Sequence, residues 1–410
     1  MAHRRGFSCI NLRDIPSARR FVSTFYTYTS QQANHTVRAR IPLLKSPLYL
    51  GHYSSRVNRP YNEDRYFAGV LELPAGSTLS PMITRQGKLG VRQVFNFAVF
   101  DGHGGEECAQ FLKDNLAEYV EKCNIHSADE IAQKYKENIG GYWKRWRGGF
   151  EQYISKMSTM DDLQLRIPTA FLTADYDFVQ KNATSGSTCT SVYLYSEDPN
   201  HAFWEAGQAS HLIVAHVGDT RCIICDRFGE AHPLTSNHHP SSPIEASRLR
   251  KYTASFFTDS FGESRFGSYA NTRAFGDLRA KAQGITAEPD IIENQIGRPH
   301  LPQERTIGAL GGDEGFLVIV SDGVTGLVSD QEMADIVMRT ASMAGSGRGT
   351  PQQAAEEIVK YAEVLGGDDN ATCLVVRLSG WNKWPQGFDR TQQLREERLK
   401  DTFDGRRGRR

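Results

Sequence analysis

Five aspartates lie at the ends of predicted strands, where their carboxylates are placed to hold metal ions. Asp101, Asp219 and Asp322 each follow a short apolar run, whereas Asp64 and Asp369 each precede one. In an antiparallel sheet the start of one strand lies beside the end of its neighbour, so these side chains can meet at a common edge. Crowded carboxylates repel one another unless cations bridge them, and oxygen ligands select Mg²⁺ or Mn²⁺ over zinc. The sequence therefore predicts a centre for hard divalent cations.

These aspartates belong to an ordered set of eight short motifs. The motifs are Arg59 with Asn62-Glu63-Asp64, Asp101-Gly102-His103-Gly104-Gly105, Gly186-Ser187-Thr188, Gly218-Asp219-Thr220-Arg221, His238-His239-Pro240, the segment 272–277 (TRAFGD), Asp322-Gly323 and Asp369-Asn370. In this order they resemble the type 2C, metal-dependent serine/threonine protein phosphatases, over residues 56–380. The agreement of eight motifs in sequence makes the resemblance specific, although a single Asp-Gly would indicate only a turn.

The resemblance implies a site for two Mg²⁺ or Mn²⁺ ions. It implies that Asp101 bridges both ions, that Asp322 and Asp369 complete one coordination shell, and that the Gly102 carbonyl belongs to the other. Glu63 and Asp64 are expected to act largely through bound water. Two such ions generate hydroxide near neutral pH and hold phosphoryl oxygens, which suits the very slow hydrolysis of phosphate monoesters.

Two further side chains are expected to act on the substrate itself. Arg59 is expected to bind the phosphate, because its planar guanidinium matches two oxygens and stays charged. His103 is expected to protonate the leaving serine or threonine oxygen, since an alkoxide needs a proton and histidine supplies one in the working pH range. Arg273 and Asp277 are interpreted as a structural ion pair that supports the site.

The sequence departs from the family pattern at two places. Gly326 stands where many members have an aspartate that, with the residue matching Asp219, supports a third, weaker ion. This glycine counts against a third ion, whereas the retained Asp219 counts for one. The segment 251–267, which corresponds to the substrate-contacting flap of the family, is also atypical.

The elements that position these residues alternate along the chain. Period-two and apolar runs predict strands at 65–72, 94–100, 187–195, 212–217, 221–226, 316–320 and 372–378. Helical spacing predicts helices at 106–123, 130–153, 170–180, 331–341 and 351–365. Short strands joined by tight turns indicate antiparallel pairing with helices outside. The resemblance implies an α+β fold, a four-layer α-β-β-α sandwich with two central antiparallel sheets.

Charge and apolar content limit the classes of partner. The formal net charge is zero, but residues 51–389 carry 32 basic and 43 acidic side chains, a net charge of −11. That sign opposes binding to nucleic acid and is compatible with a carboxylate cluster that binds cations. No apolar run reaches membrane-spanning length. Cys222 and Cys225 form a CxxC within one strand, where they face opposite sides and are expected to be core residues.

The two ends of the chain differ in composition from the middle. Residues 1–50 contain eight Lys or Arg and one acid, which is typical of a mitochondrial transit peptide. The alternative is a basic tail without targeting value. We therefore expect a presequence at 1–45, one catalytic domain at 46–384 and a basic, solvated tail at 385–410 with at most a short surface helix at 392–400.

The resulting hypothesis is a phosphatase of the mitochondrial matrix. Family members that act on dehydrogenase complexes suggest a phosphorylated matrix enzyme as the substrate. Two rivals remain: a catalytically inactive, phosphatase-like scaffold, and a two-metal phosphodiesterase or nuclease. The complete ligand set argues against the scaffold, and the acidic body argues against the nuclease.

Overall fold

Strands rich in β-branched and aromatic residues form two antiparallel sheets. The computed structural model describes residues 22–32, 35–73, 92–124, 127–145, 162–198, 201–250, 256–258, 260, 264–267, 269–297, 310, 312–343, 349–385, 387 and 389–407. The strands are β1 (Phe25–Gln32), β2 (His35–Pro42), β3 (Leu50–Ser55), β4 (Arg65–Leu73), β5 (Arg92–His103), β6 (Gly186–Ser196), β7 (Ser210–Val217), β8 (Arg221–Cys225), β9 (Ala231–Pro233), β10 (Phe256–Thr258), β11 (Ser264–Phe266), β12 (Phe275–Gly276), β13 (Asp290–Ile296), β14 (Phe316–Val320) and β15 (Ala371–Arg377).

Helices cover the outer faces of both sheets. They are α1 (Glu107–Lys122), α2 (Ala128–Lys134), α3 (Asp162–Val179), α4 (Pro243–Arg250), α5 (Leu278–Lys281), α6 (Asp322–Thr325), α7 (Asp330–Ala341), α8 (Pro351–Val364) and α9 (Gln392–Arg407). The first sheet has the order β13-β7-β6-β5-β4, with β12 paired to β6, and the second has the order β3-β15-β14-β8-β9. The two remaining ladders are β1–β2 and β10–β11.

Alternation along the strands produces three apolar layers. In β14, Leu317 and Ile319 face the core between the sheets, whereas Phe316, Val318 and Val320 face α7 and α8. The opposite face of the first sheet packs on α1 and α3. This layering confirms the predicted four-layer α-β-β-α sandwich. Cys222 and Cys225 lie in different layers, as their spacing within one strand predicts.

Two predicted helices differ from the observed ones. Within the helix predicted at 130–153, α2 ends at Lys134 and a single π turn continues to Ile139. Gly140, whose φ is 69°, interrupts it, and a 3-10 turn follows at Gly141–Arg145. Residues 146–153 lie outside the described residues. The helix predicted at 170–180 begins at Asp162 instead. Pro168 lies inside it, and a proline there argues from sequence for a later start.

The folded region extends beyond both predicted domain limits. Tyr26 of β1 is buried and contacts Phe95 and Trp204, and Leu43 is buried in the same layer. At the other end, α9 is longer than the predicted surface helix, and its Arg395 side chain is only 4 % exposed. Parts of the predicted presequence and tail therefore pack on the body. Within the described ranges, no helix is long and apolar enough to cross a membrane.

Candidate active site

Three aspartates meet where strands of both sheets end. Asp101 lies inside β5, two residues before its end, and pairs with Thr188 of β6. The sequence predicted it just after the strand. Asp219 follows β7 and Asp322 follows β14. One carboxylate oxygen from each of the three lies within 4.8 Å of the others. The Asp322 backbone N–H also donates to Asp101 Oδ2 at 3.3 Å, so the two sheets are joined at this point.

Asp64 extends the cluster from the start of β4. Its side chain is buried, and Ser321 Oγ donates to its Oδ2 at 2.7 Å. Thr372 N–H in turn donates to Ser321 Oγ at 2.9 Å, which fixes the hydroxyl. Asp64 Oδ1 is buried without a hydrogen-bond partner among the described residues. An orphaned carboxylate oxygen is costly unless a cation or water completes it.

The electrostatics of the cluster are those of a cation site. Burial, followed by the Asp219 charge, raises the pKa of Asp322 to about 7. Burial raises the pKa of Asp64 to about 6. Burial and the neighbouring carboxylates raise the pKa of Asp101 well above its usual range. Four acidic groups with oxygen donors only, one with an unsatisfied atom, fit Mg²⁺ or Mn²⁺, which would restore their ionised forms.

Arg59 and Asp369 pair at the exposed rim of the cluster. Arg59 Nη2 donates to Asp369 Oδ2 at 2.8 Å, and Arg59 Nε donates to the Asp368 carbonyl at 2.9 Å. The negative charge of Asp369 raises the pKa of both Asp64 and Asp322, so its carboxylate interacts electrostatically with the cluster. The guanidinium of Arg59, which is proposed to bind phosphate, therefore lies beside the carboxylate cluster.

Glu63 and Gly102 hold the loop that follows Asp101. Gly105 N–H donates to Glu63 Oε1 at 2.8 Å, and Glu63 N–H donates to Asn370 Oδ1 at 2.8 Å. A Cβ on Gly102 would lie 2.5 Å from the Glu63 carbonyl oxygen, so only glycine permits this approach. The Glu63 carboxylate thus orients the loop that carries His103.

His103 pairs with an aspartate to which the sequence assigned another partner. His103 Nε2 lies 2.9 Å from Asp277 Oδ2. An ionised carboxylate only accepts, so Nε2–H is the donor and Nδ1 is left for a substrate. Burial lowers the pKa of His103, but the hydrogen bond and charge of Asp277 outweigh it, and the net pKa is raised.

The predicted ion pair between Arg273 and Asp277 is wrong. Arg273 binds Glu245 at 2.6 Å and Asp290 at 2.7 Å instead. The chain turns sharply at Asp277, whose φ is 49°. The turn aims the Asp277 side chain at β5 and away from Arg273.

Histidine contacts position the turn that carries Asp219. Gly218 N–H donates to His238 Nδ1 at 2.9 Å, and His238 Nε2 donates to Asp290 at 2.9 Å. Burial and the Arg273 charge lower the pKa of His238, so the ring is neutral and can accept at Nδ1. Asp219 therefore enters the cluster on a rigid turn.

Sequence reasoning missed the partners that hold the site in place. Asn370 lies inside a quoted motif and Ser321 directly precedes one, yet no role followed from their positions, and Asp277 was assigned a different partner. Their signal is only their place next to a ligand or at a turn. Asn370 Nδ2 donates to the carbonyls of Arg56 and Tyr61, which ties the Arg59 loop to β15.

A second acidic group lies elsewhere and has a local explanation. Asp226, Glu230 and His232 also bring ligand atoms within 4.8 Å of one another. Asp226 Oδ1 accepts from the N–H groups of Phe228 and Glu230, and Asp226 Oδ2 accepts from His232 Nε2. This is the hydrogen bonding of a tight turn between β8 and β9.

Comparisons with known proteins agree with the geometry. A family profile described as "Protein phosphatase 2C" matches residues 83–371. "Protein phosphatase 2C homolog 4" of Schizosaccharomyces pombe is 36% identical over 88% of this chain and 87% of that protein. "Protein phosphatase 1K, mitochondrial" of Xenopus laevis is 27% identical over 72% of this chain and 62% of that protein. The crystal structure of a serine-threonine phosphatase 2C from Toxoplasma gondii shares the fold, with a TM-score of 0.53 at 16% identity over 86% of this chain and 98% of the other.

Proposed function

Because the chain belongs to the protein phosphatase 2C family, we propose that it hydrolyses phosphoserine and phosphothreonine on mitochondrial proteins with two divalent cations. The observation that carries the proposal is the convergence of Asp101, Asp219 and Asp322 within 4.8 Å, beside the buried and unsatisfied Asp64 Oδ1. Such a group of carboxylates is unfavourable unless cations neutralise it.

The residues that would hold two Mg²⁺ or Mn²⁺ ions come from five parts of the chain. Asp101, Asp322, Asp369 and the Gly102 carbonyl would bind the ions directly, and Glu63, Asp64 and Asp219 would contribute directly or through water. When bound, such ions lower the pKa of water and neutralise phosphoryl oxygens. The raised pKa values of Asp64 and Asp322 support this assignment, because a cation would displace the protons that these groups otherwise hold.

The chain's own residues then carry the substrate and the proton. Arg59 is more than half exposed, so it can leave Asp369 and bind two phosphate oxygens with its guanidinium. As a water oxygen bonds to phosphorus, the ester P–O bond breaks and the leaving oxygen takes a proton from His103. The proton released by the attacking water passes to solvent, and solvent returns one to His103. The products are the free hydroxyl side chain and inorganic phosphate.

Mitochondrial action rests on the amino-terminal composition and on one relative. Residues 1–50 hold eight basic side chains and one acid. A relative at 27% identity is named as mitochondrial. We propose that the targeting signal lies in this amino-terminal segment, of which residues 1–21 are outside the described ranges. Residues 1–50 fused to a fluorescent protein are expected in mitochondria, and a diffuse cytosolic signal would remove this part of the proposal.

One assay tests the activity. Purified full-length protein is expected to release phosphate from a phosphothreonine peptide with Mn²⁺ or Mg²⁺ and to stop with EDTA. Asp101→Asn is expected to lower turnover at least about a hundredfold, because it removes a carboxylate that would bind the cations. Asp226→Asn is the matched control, since it removes a carboxylate from the other acidic group and should leave turnover unchanged. Metal binding without turnover indicates the scaffold, and cleavage of nucleic acid indicates the nuclease.

A further inference from the structure

A buried ion pair lies behind the turn that carries Asp277. Asp175 of α3 and Lys281 of α5 are both fully buried, and Lys281 Nζ lies 2.8 Å from Asp175 Oδ2. Tyr135 Oη also donates to Asp175 Oδ2, at 2.6 Å. Removing two charges from water is costly, so such a pair often serves specificity of structure more than stability. What the pair specifies can be followed along its hydrogen bonds.

The pair fixes the backbone on both sides of Phe275. Gly276 N–H donates to Asp175 Oδ1 at 2.7 Å, and Lys281 Nζ donates to the Ala274 carbonyl at 2.7 Å. The next residue, Asp277, has a φ of 49°, a left-handed conformation that costs free energy outside glycine, asparagine and aspartate. The hydrogen bond from Gly276 N–H to Asp175 therefore holds the chain in the conformation that aims Asp277 at His103.

Gly186 packs so closely on the contact between Asp277 and His103 that a side chain at this position would clash with both residues. A Cβ on Gly186, the residue opposite His103 in the β5–β6 ladder, would lie 2.3 Å from His103 Nε2 and 2.7 Å from Asp277 Oδ2. Asp277 is buried, whereas the His103 side chain is 41 % exposed. One ring edge is thus anchored inside the protein, and the other is open to a substrate.

We propose that Asp175 and Asp277 are positioning residues that hold the protonated His103 ring in one orientation, with Nε2–H on Asp277 and Nδ1–H toward the leaving oxygen. Asp277 acts through its side chain, and Asp175 acts through the Gly276 backbone. The inference rests on the proposed role of His103 as the proton donor. A donor contributes only when its ring is held within hydrogen-bond reach of the leaving atom, so loosening either carboxylate lowers that contribution.

The test compares two leaving groups. The alkoxide that leaves from a phosphothreonine peptide needs the proton from His103. The p-nitrophenolate that leaves from p-nitrophenyl phosphate does not. His103→Gln is expected to lower kcat on the peptide about a hundredfold and on the aryl ester less than about threefold. Asp277→Gly and Asp277→Asn both tolerate the left-handed turn. They are expected to lower kcat on the peptide about tenfold or more and to spare the aryl ester.

A double-mutant cycle separates positioning from a general structural effect. If Asp277 acts only through His103, Asp277→Gly causes no further loss in the His103→Gln protein. A structural role would lower activity in both backgrounds. Mn²⁺ affinity by calorimetry is expected to stay within about twofold of wild type in all these variants, since the hydrogen bonds of the carboxylate cluster are untouched.

The Asp175 step has its own matched pair. Asp175→Asn/Lys281→Met removes both buried charges but keeps an oxygen for Gly276 N–H, and it is expected to retain more than half of the peptide activity. Asp175→Leu/Lys281→Met loses that acceptor and is expected to show the selective loss of about tenfold. Asp335→Asn, at another fully buried aspartate on α7, is the control for buried charge removal and should not change the ratio of the two substrates.

The outcomes distinguish the two levels of the proposal. If His103→Gln lowers both substrates equally, the proton-donor role itself fails. If His103→Gln is selective but the Asp277 variants are not, or if their losses add in the cycle, the positioning role of Asp277 fails. If the leucine and asparagine variants of Asp175 behave alike, the Asp175 step is overturned.

Discussion

Arg59 Nη2 lies 2.8 Å from Asp369 Oδ2, so the residue proposed to bind phosphate is paired with a proposed metal ligand. Both side chains are about half exposed, at 53 % and 42 %. Exposed ion pairs of this kind contribute about 0–1 kcal/mol, because water and salt screen them. The pair therefore costs little to break when a phosphate group or a cation arrives.

We expect Arg59→Ala to reduce kcat/KM on a phosphothreonine peptide by about a hundredfold while changing the free energy of unfolding by less than about 1 kcal/mol. Arg59→Lys is expected to recover only part of the activity, since an ammonium cannot bind two oxygens in a fork. Lys383→Ala is the control: its pair with Asp313 is also exposed but lies at the other end of β14. Equal activity of the Arg59 and Lys383 variants would contradict the assignment.

Asp322→Asn is expected to affect the metal-free and metal-bound proteins in opposite directions. Without metal, the carboxylate is held beside Asp101 and Asp219, and removing it relieves repulsion. The melting temperature in EDTA should then rise by about 1–2 °C. With saturating Mn²⁺ it should fall below that of wild type, because binding contributes stability only while the site is intact. Differential scanning fluorimetry with and without Mn²⁺ measures both; a lower melting temperature in EDTA would contradict the crowding argument.

The same carboxylates set a pH dependence whose sign follows from linkage. In the metal-free fold the pKa of Asp64 is raised to about 6 and that of Asp322 to about 7, from a usual value of 3.8. Between pH 4 and 7 the folded state therefore holds protons that the unfolded state has lost, and raising the pH lowers stability. Burial lowers the pKa values of His216 and His238. Below pH 6.5 these two residues therefore make the stability rise with pH, which opposes the effect of the carboxylates.

The contribution of the carboxylate cluster to the pH dependence of stability is obtained from the difference between wild type and Asp322→Asn. In EDTA, wild type is expected to lose stability relative to Asp322→Asn as the pH rises from 5 to 7.5. In saturating Mg²⁺ this relative loss should shrink, since the ion keeps the carboxylates ionised, and binding at pH 6.5 should release protons. Calorimetry in buffers of different ionisation enthalpy counts them. No proton release at pH 6.5 would show that the cluster is already ionised.

Individual strands could be predicted from the sequence because alternation is a local property, whereas the four-layer fold was implied by the family resemblance. Of the five aspartates expected to meet, Asp101, Asp219 and Asp322 bring ligand atoms within 4.8 Å of one another. Phe316–Val320 was predicted with its observed ends, since every residue in it is apolar and β-prone. The pairing of His103 with Asp277 could not be predicted, because it depends on a single left-handed residue 174 positions away in the chain. The role of Ser321 was likewise hidden, since its hydroxyl reaches Asp64 only after β4 and β14 have joined different sheets.

The carboxyl-terminal helix packs more closely than the solvated tail that its composition predicts, for a related reason. Residues 390–410 are mostly charged, which predicts a solvated tail. In the structure Arg398 donates to Glu332 Oε1 at 2.7 Å and to the Leu327 carbonyl at 2.6 Å. Composition does not show that the buried Glu332 carboxylate on α7 pairs with an arginine of α9. The packing of α9 therefore follows only from the three-dimensional arrangement.

We expect Arg398→Ala to lower the free energy of unfolding by about 1–2 kcal/mol, because Glu332 is almost fully buried and loses its cation. Lys400→Ala on the same helix is exposed and should cost less than about 0.5 kcal/mol. Urea unfolding of both variants in Mn²⁺ provides the comparison. Similar midpoints would mean that α9 does not bear on the stability of α7.

The amino-terminal hairpin supplies the last prediction, which concerns where the folded domain begins. Neighbouring residues of β1 face opposite ways: Tyr26 is 7 % exposed and packs on Phe95 and Trp204, whereas Phe25 is 38 % exposed. Removing a buried aromatic ring costs about 3 kcal/mol, whereas removing an exposed one costs little. Tyr26→Ala should therefore unfold at clearly lower urea than Phe25→Ala, and a chain that starts at residue 46 should be as unstable as Tyr26→Ala or more so. If all three unfold at the wild-type midpoint, the hairpin is dispensable and the domain begins at residue 46, as the composition alone suggested.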